Sequence, residues 1–316
     1  MEYFMSLNPI ALLRALPGSA AQGMVWGVMA LGVYITFRLL DFADLTVDGS
    51  IATGAAVSVM LIRGGVSPIL SLPLAFLAGM LAGLITGLLH TALGIPGILA
   101  SILTQISLYS VNLIILGKAN QPVSVDNYPL VMSLRYVTSG TTASKLLFFA
   151  GVILFLLVLV MVLYWYFGTE SGQAVRATGC NPNMARAQGI NTKYITVLAL
   201  MLSNGLVGLC GALYAQFQGA ADVNMGRGAI VIGLAAVIIG EVMFGKFASK
   251  RKFAFAFTLA SVIIGAVIYY IVYQFVLWLK MPSEYMKMLS AIVVAVFLSI
   301  PYLKEKRAQK KGVAKA

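Results

Sequence analysis

The chain has 316 residues, of which 60% are hydrophobic and only 10% charged, with a formal net charge of +12. A soluble globular domain carries about a quarter charged residues, so this composition excludes one and marks an integral membrane protein. The positive charge does not point to nucleic acid, because it gathers at the ends of apolar runs: KEKRAQKKGVAKA closes the chain, GKFASKRK (245–252) joins two runs, and Arg176, Arg186 and Lys193 mark a polar island near the middle.

The opening MEYFMSLNPIALLRALPG lacks a basic region followed by an apolar core and a small-residue cleavage site, so no cleaved signal is predicted and residues 4–16 read as a short interfacial helix. Apolar runs follow at Pro17–Phe37, Ile51–Ile62, Gly64–Leu89, Ile95–Gly117, Leu146–Gly168, Tyr194–Gly219, Gly228–Gly240, Phe253–Leu279 and Met288–Leu303. A helix needs roughly 18 apolar residues to cross a bilayer, so the second and seventh runs are short and need their polar flanks to complete a crossing. The expected fold is therefore all-α: a polytopic transmembrane helical bundle of about nine crossings, or ten if residues 1–16 hide one, forming a single domain over residues 1–316.

Lys and Arg accumulate in cytoplasmic loops, which sets all three basic segments inside. Counting back from a cytoplasmic C-terminus through nine runs puts Lys118–Lys145 outside, and the N-terminus outside as well. The tail at 304–316 then reads as a cytoplasmic anchor that also favours anionic lipid.

The two short runs follow similar polar lead-ins, LLDFADLTVDGSIATGAA (39–56) and FQGAADVNMGRGAIVIG (217–233). Sliding the chain by 178 positions lays Asp44 on Asp222, and the counted topology sets the two segments in opposite orientations. Paired broken helices in inverted halves are where transporters build their pathway, because irregular backbone in a membrane must line a cavity. Asp44, Thr46, Asp48 and Ser50, with Asp222, Asn224 and Arg227, are the candidate pathway residues; the plainer alternative leaves the carboxylates in aqueous loops. Polar side chains at Thr104, Gln105, Ser107, Ser110 and Asn112 line the pathway or hydrogen-bond between helices, which the sequence does not separate. Gly79, Gly83 and Gly87 form a smooth stripe for close helix approach.

Ionisable residues are scarce inside the runs, Glu241 being a candidate read as interfacial, which argues against an ion-coupled carrier. His90 reads as an interfacial side chain, and Cys180 and Cys210, without CxxC spacing, as packing residues. No metal or catalytic cluster is expected.

In the island, SGQAVRATGCNPNMARAQGINTKYI (171–195), Asn181 is placed to cap a helix with Pro182 at its first position and Gly189 at its end. Such a helix, with Met184 and Ala187 on one side, suits another protein's groove. The pattern GxAVRATGxNPxxARAxGI closely resembles the cytoplasmic loop of permease subunits in bacterial ABC importers of the branched-chain amino acid and ribose type. LDFADLTVDGSIATGAA and MGRGAIVIGLAAVIIGEVMFG are similar to that family's Gly-rich segments.

The resemblance implies that residues 169–193 form the coupling-helix loop, with the docking role carried by Gly179, Asn181, Pro182, Ala185, Arg186, Gly189 and Ile190. It implies two ATPase subunits, an extracytoplasmic substrate-binding protein, a second permease copy as a homodimer, and a bacterial cell membrane location. The chain itself would be a transport subunit without cofactors, since ATP and magnesium belong to the ATPase and no GxxxxGK[ST] loop occurs here. Asp41–Gly49 departs from the Asn-Phe-Ala-His type segment of the familiar branched-chain permeases. Its Leu-Thr-Val-Asp-Gly-Ser wording is closer to a subgroup found beside amino-acid-binding lipoproteins, some linked to tryptophan or tyrosine. An ion-coupled secondary transporter stands as the alternative; a passive channel would need no docking helix, and a lipid-modifying enzyme would need a His or acidic cluster beyond Asp41, Asp44 and Asp48.

Overall fold

The computed structural model describes residues 9–138, 142–248 and 253–279, with isolated positions between 288 and 299. Helix α1 (Pro9–Tyr34) runs directly into a π-helical turn, Ile35–Leu39. Residues 9–16 are thus the first turns of a long helix rather than a separate interfacial one, and residues 4–8 lie outside the described residues. Pro17 sits inside α1. Membrane helices tolerate such a proline when neighbours hold them, and here Ser19 Oγ donates to Gln274 Oε1 at 2.8 Å.

Helices α2 (Val47–Arg63), α3 (Pro68–Thr91), α4 (Gly97–Leu116), α5 (Leu134–Thr138) and α6 (Thr142–Tyr166) follow. The island forms α7 (Glu170–Cys180) and α8 (Pro182–Ala187), and α9 (Thr192–Gln218), α10 (Ala229–Ala248) and α11 (Ala254–Trp278) complete the described bundle. One small correction to the all-α expectation is a two-stranded antiparallel ribbon, β1 (Asn120–Pro122) with β2 (Ala220–Asp222). Three residues per strand are too few to show an alternating pattern in sequence, so β1 read as loop.

Among the described residues, six helical stretches are long and apolar enough to cross a membrane: Ile10–Leu39, Pro68–Thr91, Gly97–Leu116, Ala143–Tyr166, Thr192–Gln218 and Ala254–Trp278. The 17-residue α2 and the apolar Ala229–Phe244 part of α10 fall short, as their sequences indicate. Most of the run Met288–Leu303, residues 249–252 of the basic joint and the tail at 304–316 lie outside the described residues.

Helix α9 is the axis of the bundle, buried along most of its length. Helix α3 lies antiparallel against it, and the glycine stripe is the reason it can. A Cβ on Gly79 or Gly83 would run into the Asn204 or Leu200 carbonyl, and one on Gly87 would meet Val197 Cα. Helix α1 also runs antiparallel to α9, with Ser203 Oγ donating to the Gly32 carbonyl and Cys210 Sγ to Val25. The bundle has two distinguishable ends: the island end, bearing α7 and α8, and the ribbon end, where Arg63 Nη1 donates to Gln121 Oε1.

Candidate functional site

Helix α8 forms for local reasons. Asn181 leaves the helical region, and its Oδ1 accepts the Asn183 and Met184 N–H groups at 3.1 and 3.0 Å, capping a helix that opens on Pro182. Gly189 has φ +82°, a left-handed conformation that any side chain would strain. Ala185 faces inward while Met184 stands 64% exposed. Arg186, though exposed, is tied down: its Nε donates to Thr192 Oγ1 at 2.9 Å, coupling α8 to the start of α9.

Helix α7 makes the second connection. A Cβ on Gly179 would run into the Leu39 carbonyl and press on Leu40 Cα, so only glycine lets α7 seat against the π-helical end of α1. Arg176 anchors the same helix, its guanidinium 3.9 Å above the Phe255 ring and 5.7 Å from Phe167. Burial lowers the Arg176 pKa, opposed by the nearby Tyr34 and Tyr164 hydroxyls.

Beyond Leu40 the chain breaks from helix until α2. Asp41 adopts φ +56°, a strained conformation for a residue other than glycine. Asp44 Oδ1 then accepts the Thr46 N–H at 2.9 Å, and Asp44 Oδ2 accepts Asn204 Nδ2 at 2.6 Å. Ser50 Oγ donates to Asn204 Oδ1 at 2.6 Å, and the Thr46 and Thr86 hydroxyls meet at 2.7 Å. Asp44, Thr46, Ser50 and Asn204 are all buried. This network therefore fixes the broken segment onto α3 and α9, and none of these residues lines the cavity described next. Buried polar groups left unpaired are costly, and the pairing of each with another explains why the break is stable.

Asp48 does something different. Its Oδ2 accepts the Gly228 N–H at 2.9 Å and its Oδ1 the Ile230 N–H at 3.0 Å, so it caps the first turn of α10 from the first turn of α2. Helices α2 and α10 run in opposite directions, and their N-termini, each leaving N–H groups without helical partners, converge on one carboxylate. Gly226 allows the approach, since a Cβ there would strike the Asp48 carbonyl.

Beside this junction lies a cavity of about 290 Å³ whose lining includes Asp48, Gln105, Ser110, Asn112 and Arg227. The polar residues of α4 thereby divide: Gln105, Ser110 and Asn112 reach the cavity, whereas the Thr104 and Ser107 hydroxyls turn back to the Ala100 and Leu103 carbonyls. Asn112 is buried and its Oδ1 has no partner among the described residues.

The remaining predicted residues sit elsewhere. Asp222 is at the ribbon end, accepting the Asn224 N–H at 2.7 Å and Asn120 Nδ2 at 3.3 Å, and Asn224 is exposed. Asp44 and Asp222, aligned by the 178-residue shift, thus occupy unlike surroundings. Glu241 pairs with Arg38 at 2.8 Å, joining the island ends of α1 and α10. His90 Nδ1 donates to the Ile95 carbonyl at 2.8 Å, closing the turn after α3. Sequence reasoning passed over Asn204, although a lone amide in the middle of the run Tyr194–Gly219 was a readable signal.

The protein family described as "Branched-chain amino acid transport system / permease component" matches residues 16–298. The chain belongs to this permease family. The tyrosine transport system permease protein of Clostridioides difficile (strain R20291) is 37% identical over 278 residues, 88% of each chain. The inner membrane ABC transporter permease protein YjfF of Escherichia coli K12 is 28% identical over 75% of this chain and 73% of its own. The D-allose transport system permease protein AlsC of the same organism is 25% identical over 84% and 76%, respectively. No solved structure matches the chain. The permease is thus the multi-pass membrane component of an ABC transport system, a transport subunit and not an enzyme. Its family implies an ATPase and a substrate-binding partner.

Proposed function

We propose that this permease forms the translocation pathway of an ATP-driven importer for an amino acid, of the aromatic class, working as a homodimer with two ATPase subunits and an extracytoplasmic binding protein. ATP and magnesium are handled in the ATPase. The chain crosses the bacterial cell membrane nine times, with its N-terminus outside and its C-terminus in the cytoplasm. The name of the C. difficile relative supports the substrate class. An ion-coupled carrier is not favoured, because the chain's similarity is to permeases of ABC transport systems.

The observation that carries the reading is the continuity between α8 and the broken helices. ATP binding in the docked motor displaces α8, whose shape is set by Asn181, Pro182 and Gly189 and which is seated on the permease itself by Ala185 and Ile190. The displacement passes through Arg186 and Thr192 to α9 and through Gly179 to Leu39 and Leu40. From Leu40 the chain leads within a few residues to the Asp44 network and to Asp48, which holds the start of α10. The two half-helices then shift together, with Asp48 and Arg227 at the pathway and Asp44, Thr46 and Ser50 as its frame. Asp222 and Asn224 line its outer mouth. For the motor to drive access, each of its states must favour one arrangement of this junction.

The test is affinity purification of the tagged permease in mild detergent, with mass spectrometry of its companions and an ATPase assay. An ATPase subunit should co-purify and be lost when residues 181–190 are scrambled. A folded permease that purifies alone, without ATPase activity, would sink the reading.

A further inference from the structure

Arg227 lines a second and larger cavity, of about 520 Å³, on the other side of the α10 lead-in. That volume lies within the range of small-molecule sites. Its walls are aromatic: Trp26 from α1, Tyr214 from α9, and Tyr269, Tyr270 and Tyr273 from successive turns of α11. Trp26 and Tyr214 meet edge to face with centroids 5.2 Å apart, Tyr270 packs 5.6 Å from Trp26, and Tyr269 stacks on Tyr273 at 6.5 Å.

Two of these rings, Tyr214 and Trp26, carry polar edges that an acyl chain would leave unmatched. Gln22 Nε2 reaches the Tyr214 hydroxyl only at 3.4 Å, and the buried Trp26 indole N–H has no partner among the described residues. Buried donors are almost always paired, so this orphan, closed off in the present arrangement on a residue of the cavity wall, marks a place where a polar group belongs in another state of the protein. The guanidinium of Arg227, exposed and shared with the Asp48 cavity, supplies the charge that a carboxylate seeks.

We infer that this cavity receives the ring of an aromatic amino acid in transit, with Arg227 drawing its carboxylate towards the junction of α2 and α10. The inference rests on the importer reading above and gives its substrate class a location. Aromatic walls bind a ring by offset or edge-to-face contact, and a tyrosine or tryptophan ring can also use the Tyr214 hydroxyl and the amide of Gln22.

The test uses the permease reconstituted in liposomes with its ATPase and binding protein, illuminated with p-azido-L-phenylalanine during ATP turnover. Labelled peptides should contain Trp26 or Tyr269–Tyr273, and excess L-tyrosine, but not L-leucine, should protect them. Trp26→Phe and Tyr273→Leu should each lower tyrosine uptake about 2- to 10-fold in complexes that still assemble. Labelling confined to other peptides, or labelling of these walls only by a diazirine-tailed phospholipid, overturns the assignment. If ATP drives uptake of L-tyrosine while the azido compound leaves the walls untouched, the importer reading stands and the cavity assignment alone falls. If no ATPase joins the permease and ATP drives no uptake, both fall.

Discussion

Replacing Asp48 with asparagine keeps the size of the side chain and removes half of what the carboxylate does. The two oxygens accept the Gly228 and Ile230 N–H groups at 2.9 and 3.0 Å. Asparagine offers one acceptor and turns an NH₂ group towards the other N–H, so one bond is lost outright and the survivor is no longer charge-assisted. A hydrogen bond to a charged group contributes about 1.5–3 kcal/mol. Loss of the negative charge from a helix N-terminus adds about 0.3–1 kcal/mol. Opening of the first turn of α10 should therefore become easier by about 2–4 kcal/mol, or roughly 30-fold or more. Hydrogen exchange followed by mass spectrometry reads this directly: the peptide spanning 222–235 should exchange faster by that factor, while one from the middle of α9 should not change. Uptake should fall with it. Unchanged exchange at 222–235 would refute the capping argument, whatever happened to transport.

Three further outcomes follow from the same geometry. Gly179→Val drives a side chain into the Leu39 carbonyl and should lower the solute moved per ATP hydrolysed, measured in proteoliposomes, while leaving the ATPase bound; an unchanged ratio would break the link between α7 and the π-helical turn. Asn181→Ala removes the cap of α8 at a cost of about 1 kcal/mol, so the ATPase retained in a titrated pull-down should drop about fivefold. Arg38→Gln or Glu241→Gln breaks an ion pair whose side chains are 57% and 25% exposed. Each should cost no more than about 1 kcal/mol in detergent unfolding, and a larger loss would show that the pair is better shielded than its exposure indicates.

Much of this arrangement was readable in the residues because its causes are local. Apolar runs bounded by charge define helices by solvent alone, and Asn181, Pro182 and Gly189 specify a short capped helix through backbone geometry within nine positions. The glycine stripe at Gly79, Gly83 and Gly87 announced a close contact, though not that α9 would fill it. What stayed hidden depends on pairings between distant parts of the chain. Nothing near Asp48 says that its partners are the amides of Gly228 and Ile230, and Glu241 has Lys246 as a sequence neighbour but Arg38 as its partner. The seven predicted pathway residues shared one polar signature. Only packing separated those that hold the frame, such as Asp44, from those that face space, such as Arg227. The aromatic cavity had no signature at all, since tyrosines on two helices and a tryptophan on a third look like ordinary membrane composition until the helices meet.

The shared carboxylate also has a bearing on biosynthesis. Asp48 leaves the ribosome long before the amides that it caps, so α2 must wait in the bilayer, its carboxylate unsatisfied by α10, until the second half of the chain inserts. The two halves are then fastened at a point that no covalent link serves. A permease cut in the exposed turn around Asn181 and expressed as two pieces should therefore reassemble, and replacing Asp48 should loosen the start of α10 while the seam of α3 and α1 against α9 still holds the pieces together.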